Sequence, residues 1–285
     1  MLSAKAAIAK KFSDPEHPIN PNHVFLDFGC GAALFHAVSA LCEEGDKLLV
    51  QAPGFPLFKP ISENLNIELS FYRLDPDKNW EVDLEDLESK IDSKTKVLLV
   101  NNPSNPCGSC WSREHQEAIL ALAEKHKLCI ISDEVYYGLS FDEKRPFYSF
   151  GNLTTTVPLI CCNSLSKTYC VPGWRLGWSI IYNHHGYFDK VIDHMGKQSM
   201  IMLHPCSLVQ AALPKILSEV PQSHFDNMNA KLKASAELAY ERFSKIPGLL
   251  PVACSAAMYM MVRIKRDHFK DINDDVDFCT KLLSE

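Results

Sequence analysis

Between residues 24 and 182 short apolar runs of strand length alternate with stretches of helical period, and this alternation is what most limits the folds open to the chain. Parallel neighbours need a crossover, usually a helix, so the pattern predicts an α/β fold: a mainly parallel sheet sandwiched by helices on both faces. Helical residues 32–42 lead to a strand at 47–51, and a further strand is expected at 67–72. Asp83 is placed to cap an amphipathic helix over 83–88, because a short acceptor side chain satisfies the free amides of a first turn. A strand at 96–101, a helix at 112–125 and strands at 128–132, 159–163 and 176–182 complete the set.

Beyond residue 185 the pattern turns helical. Pro221 opens a long helix whose apolar positions Phe225, Met228, Leu232, Ala236, Ala239, Phe243 and Ile246 keep a helical period, and Gly248 stops it. A strand at 258–264 and a helix at 276–283 suggest a smaller α+β domain, left incomplete because an apolar helix face ends the chain with nothing after it to pack upon. The expected division is a large domain over 1–218, then a connecting helix and partial small domain over 219–285.

Charge and hydropathy remove several classes of function. The net charge is −6 and no tract is rich in lysine or arginine, so no nucleic-acid footprint is expected. No apolar run approaches membrane-spanning length, and residues 1–8 lack the apolar core and cleavage site of a secretory signal. The first arginine is Arg73, unlike an arginine-rich mitochondrial leader, so a cytoplasmic protein is expected. Cys129, Cys161 and Cys162 sit inside strand-like runs and read as reduced core residues. Cys107 and Cys110 have metal or redox spacing, yet no second pair follows at a zinc-site distance, so they read as loop cysteines and no metal is expected.

Residues 24–31, Val-Phe-Leu-Asp-Phe-Gly-Cys-Gly, form a strand, a glycine turn and the start of a helix. Amides at such a helix start suit an anion. The turn also resembles the first motif of S-adenosylmethionine-dependent methyltransferases. An adenosyl ligand, however, needs a carboxylate at the end of the next strand, and that strand ends Leu49-Val50-Gln51-Ala52, while Ala33 stands where the last glycine would be.

Chemistry concentrates in residues 164–178, Ser-Leu-Ser-Lys-Thr-Tyr-Cys-Val-Pro-Gly-Trp-Arg-Leu-Gly-Trp. A lone Ser-x-x-Lys would be a solvated loop, but here an arginine follows the lysine by eight residues between two strands. The segment closely resembles the lysine signature of the class-I, fold-type I aminotransferases, which depend on pyridoxal 5'-phosphate, and its second half looks like their tyrosine-directed branch. The resemblance makes Lys167 the residue that carries the cofactor. It places Arg175 and Ser164 on the phosphate, where a planar guanidinium can grip an anion in a bidentate way. Cys170 is a mild departure from the family.

Other motifs follow in the family's order. Residues 101–108, Asn-Asn-Pro-Ser-Asn-Pro-Cys-Gly, resemble the loop whose second Asn-Pro gives Asn105 to the ring oxygen; either Asn-Pro bond is a candidate for the cis form. Ser132-Asp133-Glu134-Val135-Tyr136 implies Asp133 on the ring nitrogen and Tyr136 on the ring oxygen. Glu134, facing the other way on a strand, is expected at the surface or at a dimer contact. Pro53-Gly54-Phe55 places Phe55 against the ring, and Gly29 and Cys30 match the residues whose amides complete the phosphate cup. Asp27 and Phe28 depart from the family's hydroxyl residues there, and a carboxylate beside a phosphate would repel it.

The resemblance runs along essentially the whole chain and implies amino transfer from tyrosine or another aromatic amino acid to a 2-oxo acid such as 2-oxoglutarate. It further implies a homodimer, with small-molecule partners only. Family members extend further at both ends, where part of the partner subunit's site and the arginine for the substrate carboxylate lie. An impaired transaminase, or a remnant that binds cofactor without turnover, is therefore also expected from this sequence.

Overall fold

The computed structural model describes residues 1–284. The chain runs α1 (Leu2–Phe12), β1 (Val24–Asp27), α2 (Cys30–Leu41), β2 (Lys47–Ala52), α3 (Phe58–Leu65), β3 (Glu68–Asp75), β4 (Glu81–Val82), α4 (Leu84–Ser89), β5 (Thr95–Asn101), α5 (Arg113–Lys125), β6 (Cys129–Asp133), β7 (Leu159–Ser164) and β8 (Gly177–Tyr182). It continues through α6 (Asp189–Met202), α7 (Ser207–Glu219), α8 (Gln222–Ser244), β9 (Leu249–Pro251), β10 (Val262–Ile264) and α9 (Asp275–Leu282).

β1 to β8 form one sheet in the order β1-β8-β7-β6-β5-β2-β3-β4. The block β3-β2-β5-β6-β7 is parallel throughout, whereas β8 runs antiparallel to both β7 and β1. The α/β reading holds. Its physical basis is visible residue by residue, because parallel strands covered on both faces lose water on both and read as unbroken apolar runs. Leu98, Val100, Ile130 and Leu159 point to one core layer, with Ala4 and Ile8 of α1, Ile119 of α5 and Leu213 of α7. Their neighbours Val97, Leu99, Ile131 and Ile160 point to the other, with Leu34 and Val38 of α2, Ile61 of α3 and Met195 of α6.

Asp83 caps its helix as expected. The Asp83 carboxylate accepts from the Asp86 amide at 3.0 Å, and Ser112 caps α5 on the His115 amide. One expectation about these elements needs correction. The strand predicted over 258–264 is confined to Val262–Ile264, because Ala257 takes a left-handed φ of 55° and the next four residues run as a loop. The periodic positions of α8 include no buried residue among those described, and Leu238, Tyr240 and Phe243 are exposed. Among the described residues β9 and β10 pair only with each other. No helix among the described residues is long and apolar enough to cross a membrane.

Candidate active site

Parallel strands present their carboxyl ends along one edge of the sheet, and the loops leaving them enclose a cavity there. Phe55 comes from the loop after β2, Asn101 and Asn105 from the end of β5, Asp133 from the end of β6, and Ser164 from the end of β7. Cys30 and Gly31 come from the start of α2, and Ser166, Lys167 and Arg175 from the loop between β7 and β8. These residues, with Tyr136 and Tyr259, line a single cavity of about 280 Å³. Eight of the nine site residues singled out in the sequence are thus brought together: Lys167, Asp133, Tyr136, Cys30, Phe55, Asn105, Ser164 and Arg175. Gly29 lies immediately behind the wall.

Gly29 shows why this turn needs glycine. Its φ is 86°, and a Cβ there would lie 2.5 Å from a guanidinium nitrogen of Arg175. Gly177 is as constrained, since a Cβ would meet the backbone of Gly29 at 2.3 Å and the Cys30 amide nitrogen at 2.6 Å. The guanidinium donates through Nη1 to the Pro172 carbonyl at 2.9 Å and through Nη2 to the Phe28 carbonyl at 3.0 Å. Arg175 itself holds a left-handed φ of 47°, a conformation that costs about 1–2 kcal/mol for a residue with a side chain. Arginine, the free amides at the start of α2 and Ser164 therefore converge on one end of the cavity.

At the other end Asp133 is 3% exposed. Its Oδ1 accepts from the Val135 amide at 3.2 Å and from the Cys30 thiol at 3.5 Å. Burial pushes the carboxyl up to about 6, against the pull of those two donors. Between the ends, the Tyr136 hydroxyl lies 2.6 Å from that of Tyr259, and Asn105 approaches the same hydroxyl. The Lys167 amine stands 5.9 Å from the centre of the Tyr136 ring. Asn101 ties the wall together: its Oδ1 accepts from the Asn105 amide at 2.8 Å, and its Nδ2 donates to the Asp133 carbonyl at 3.2 Å.

Two readings of nearby carboxylates change. Glu134 is not at the surface: it is 3% exposed, and its Oε1 accepts from the hydroxyls of Ser132 and Ser149 and the amide of Phe150, each at 3.0 Å. Both faces of the sheet are covered here, so the side opposite Asp133 is core, and burial pushes the Glu134 carboxyl up to about 7. Asp27 sits against His36 Nδ1 at 2.6 Å, both side chains are buried, and Asp27 does not line the cavity. The repulsion expected of it therefore falls away.

Both Asn102-Pro103 and Asn105-Pro106 are cis. Cys107 and Cys110 are buried with thiols pushed up to about 12, and no cluster of metal-binding side chains occurs among the described residues. The sequence reading missed Asn101, Val135, Ser166 and Tyr259 as wall residues. Val135 and Ser166 lay inside motifs already marked, whereas Tyr259, within Met258-Tyr259-Met260-Met261, carried no local signal beyond that of an apolar strand.

Arg175, Ser164 and the start of α2, the buried acid Asp133 and the Lys167 amine thus line one cavity. Residues 2–285 match the family of class I and II aminotransferases, and the chain belongs to that family. It is 41% identical to mouse tyrosine aminotransferase over all of this chain and 63% of that protein. The chain thus spans somewhat less than two thirds of the length of this mammalian relative. Among solved structures it resembles tyrosine aminotransferase from Leishmania infantum, with a TM-score of 0.95 and 30% identity over 99% of this chain and 70% of that one. It also resembles alanine aminotransferase from Pyrococcus furiosus, with a TM-score of 0.94 and 27% identity over 100% of this chain and 70% of that one. Nothing in these likenesses favours the methyltransferase alternative.

Proposed function

We propose that this protein transfers the amino group of tyrosine, or another aromatic amino acid, to a 2-oxo acid such as 2-oxoglutarate, using pyridoxal 5'-phosphate held by Lys167. One observation carries the reading: Lys167, Asp133 and Arg175 share one cavity whose far end is a glycine cradle with no room for a Cβ. The residues present fit the cofactor. Arg175, Ser164 and the free amide of Cys30 would hold its phosphate, whereas the Gly29 amide expected to join them already donates to the Asp27 carbonyl at 2.8 Å; Phe55 would pack on the ring, and Asn105 and Tyr136 would face the ring oxygen. When bound, the group supplies an electron sink for the carbon that loses its proton.

The chain's own residues then divide the work. The Asp133 carboxylate holds a proton at the ring nitrogen, for which a buried, partly satisfied acid is suited. The Lys167 amine, once released, moves a proton between the substrate's α-carbon and the cofactor. The direct test is turnover of L-tyrosine with 2-oxoglutarate by the protein and by Lys167→Ala. Absence of amino transfer from every aromatic amino acid offered would overturn the substrate assignment.

Arg175→Lys tests the phosphate end separately. Lysine keeps the charge but loses the fork, so cofactor affinity is expected to fall roughly ten- to a hundredfold, the loss of about 1.5–3 kcal/mol for a charge-assisted hydrogen bond. Equilibrium dialysis against pyridoxal 5'-phosphate measures it, and unchanged affinity would remove Arg175 from the phosphate site.

We infer a homodimer, supported by the exposed apolar run Met200, Ile201, Met202 and Leu203, with Leu208 beside it, where α6 gives way to α7. Sedimentation equilibrium at micromolar concentration is expected to give twice the chain mass; a monomer at all concentrations would reject it. A cytoplasmic location is supported by the thiols, since none of the eleven cysteines is paired.

A further inference from the structure

The residue that the motifs left out, Tyr259, touches the site most directly. It reaches the cavity from beyond α8, and its hydroxyl lies 2.6 Å from that of Tyr136, with the two rings edge to face at 5.6 Å and 88°. Two hydroxyls at that distance share one proton, so one donates and the other accepts. Their surroundings decide which. Among the described residues the Tyr259 hydroxyl has no other polar partner, whereas Tyr136 also faces Asn105 and the open cavity beside Lys167. Either direction leaves one proton over: that of Tyr136, which has the open cavity to point into, when Tyr259 donates, and that of Tyr259, which faces no acceptor among the described residues, when Tyr136 donates.

The backbone fixes Tyr259 in this position. Its carbonyl accepts from the Cys254 thiol at 3.0 Å, and it packs so closely on Gly108 that a Cβ there would lie 2.1 Å from the carbonyl oxygen. The Gly108 carbonyl in turn accepts from the amides of Ser255 and Ala256 at 2.8 and 3.0 Å. The segment bearing Tyr259 is therefore laced to the loop bearing Asn105, and both converge on one hydroxyl. Burial raises the Tyr136 hydroxyl above its ordinary range, which keeps its proton in place.

We propose that Tyr259 is a positioning residue: by donating to the Tyr136 oxygen it aims the Tyr136 proton at the cofactor's ring oxygen. This rests on the cofactor reading above and adds to it a residue from outside the motifs that define the site. Chains of hydroxyls polarise one another, so the second hydroxyl strengthens the first as a donor. With the cofactor bound on Lys167, stabilising negative charge on its ring oxygen would ease loss of the proton from the Lys167 nitrogen, and the pH midpoint of the visible absorbance band would report this.

The test is a pH titration of that band in the full chain loaded with pyridoxal 5'-phosphate. Tyr259→Phe keeps the ring and its packing and removes only the hydroxyl, and the midpoint is expected to rise by about 0.5–1 pH unit. Tyr136→Phe is expected to raise it further, and adding Tyr259→Phe to Tyr136→Phe should then change nothing, because Tyr259 acts through Tyr136. Should Tyr259→Phe fail to fold, Tyr259→Leu removes the same hydroxyl. An unchanged midpoint in the single variant, or an equal extra shift in the double variant, overturns the proposal. A native protein with no band dependent on Lys167 overturns the cofactor reading, and this proposal with it.

Discussion

Lys167→Ala is expected to abolish the visible absorbance of the protein mixed with pyridoxal 5'-phosphate and to lower amino transfer by about 10³-fold or more. The size follows from two losses at one atom. General acid–base catalysis by a placed side chain supplies about 10²–10⁴-fold, and the covalent anchor that orients the cofactor disappears with it. The surroundings make the lysine hard to replace. Its loop is pinned on both sides, by the Ser166 amide donating to the Ser164 hydroxyl at 3.2 Å before it, and after it by the Thr168 hydroxyl donating to the Tyr137 carbonyl at 2.7 Å and the Cys170 amide donating to the Lys167 carbonyl at 3.1 Å. The amine therefore hangs from a fixed backbone into the cavity, and the neighbouring alcohols of Ser164 and Ser166 are no substitute for an amine. Scanning absorbance and steady-state transamination check the expectation. A band of unchanged position and strength in the alanine variant would show that the cofactor, if held, is held elsewhere.

The sheet was legible in the sequence because both of its faces are covered: strands such as β5 and β7 bury every residue or nearly so, and each reads as an apolar run. The site was legible for a different reason. Glycines at 29 and 177 are there because backbone and guanidinium approach too closely for a side chain, and such demands leave fixed spacings in the chain. What failed to show depends on contacts distant in sequence. Tyr259 meets Tyr136 across 123 residues, and nothing within Met258-Tyr259-Met260-Met261 distinguishes a wall of the site from a strand. Glu134 was misplaced because strand alternation tells which way a side chain points, but not whether a further layer covers that face. Asp27 looked hostile to a phosphate until its partner His36, nine residues on along α2, was placed beside it.

Asp133→Asn is expected to move stability and catalysis in opposite directions, and that opposition separates a cofactor ligand from a structural acid. In the cofactor-free protein the buried carboxyl is pushed up to about 6 from its ordinary 3.8. A raised folded-state value means that the folded protein binds more protons than the unfolded chain between those two pH values. Stability is then lost as pH rises through that window, and above it the whole cost is present, about 3 kcal/mol at 1.36 kcal/mol per unit. Asparagine has no charge to desolvate, so the cofactor-free variant should be more stable at pH 7.5 by up to about 3 kcal/mol, less whatever its hydrogen bonds to Val135 and Cys30 lose, and should lack the slope between pH 4 and 6. Catalysis should fall instead. An amide cannot hold a proton on a ring nitrogen as a carboxylate does, and losing an electrostatic stabiliser of that kind costs about 10²–10³-fold in rate. Urea denaturation of the cofactor-free protein at pH 5 and 7.5, beside single-turnover rates of the loaded enzyme, reads both effects. A variant that is less stable at pH 7.5 and turns over as fast as the parent would mean that Asp133 serves the fold alone, since a carboxylate buried to meet a cation should be a burden until the cation arrives.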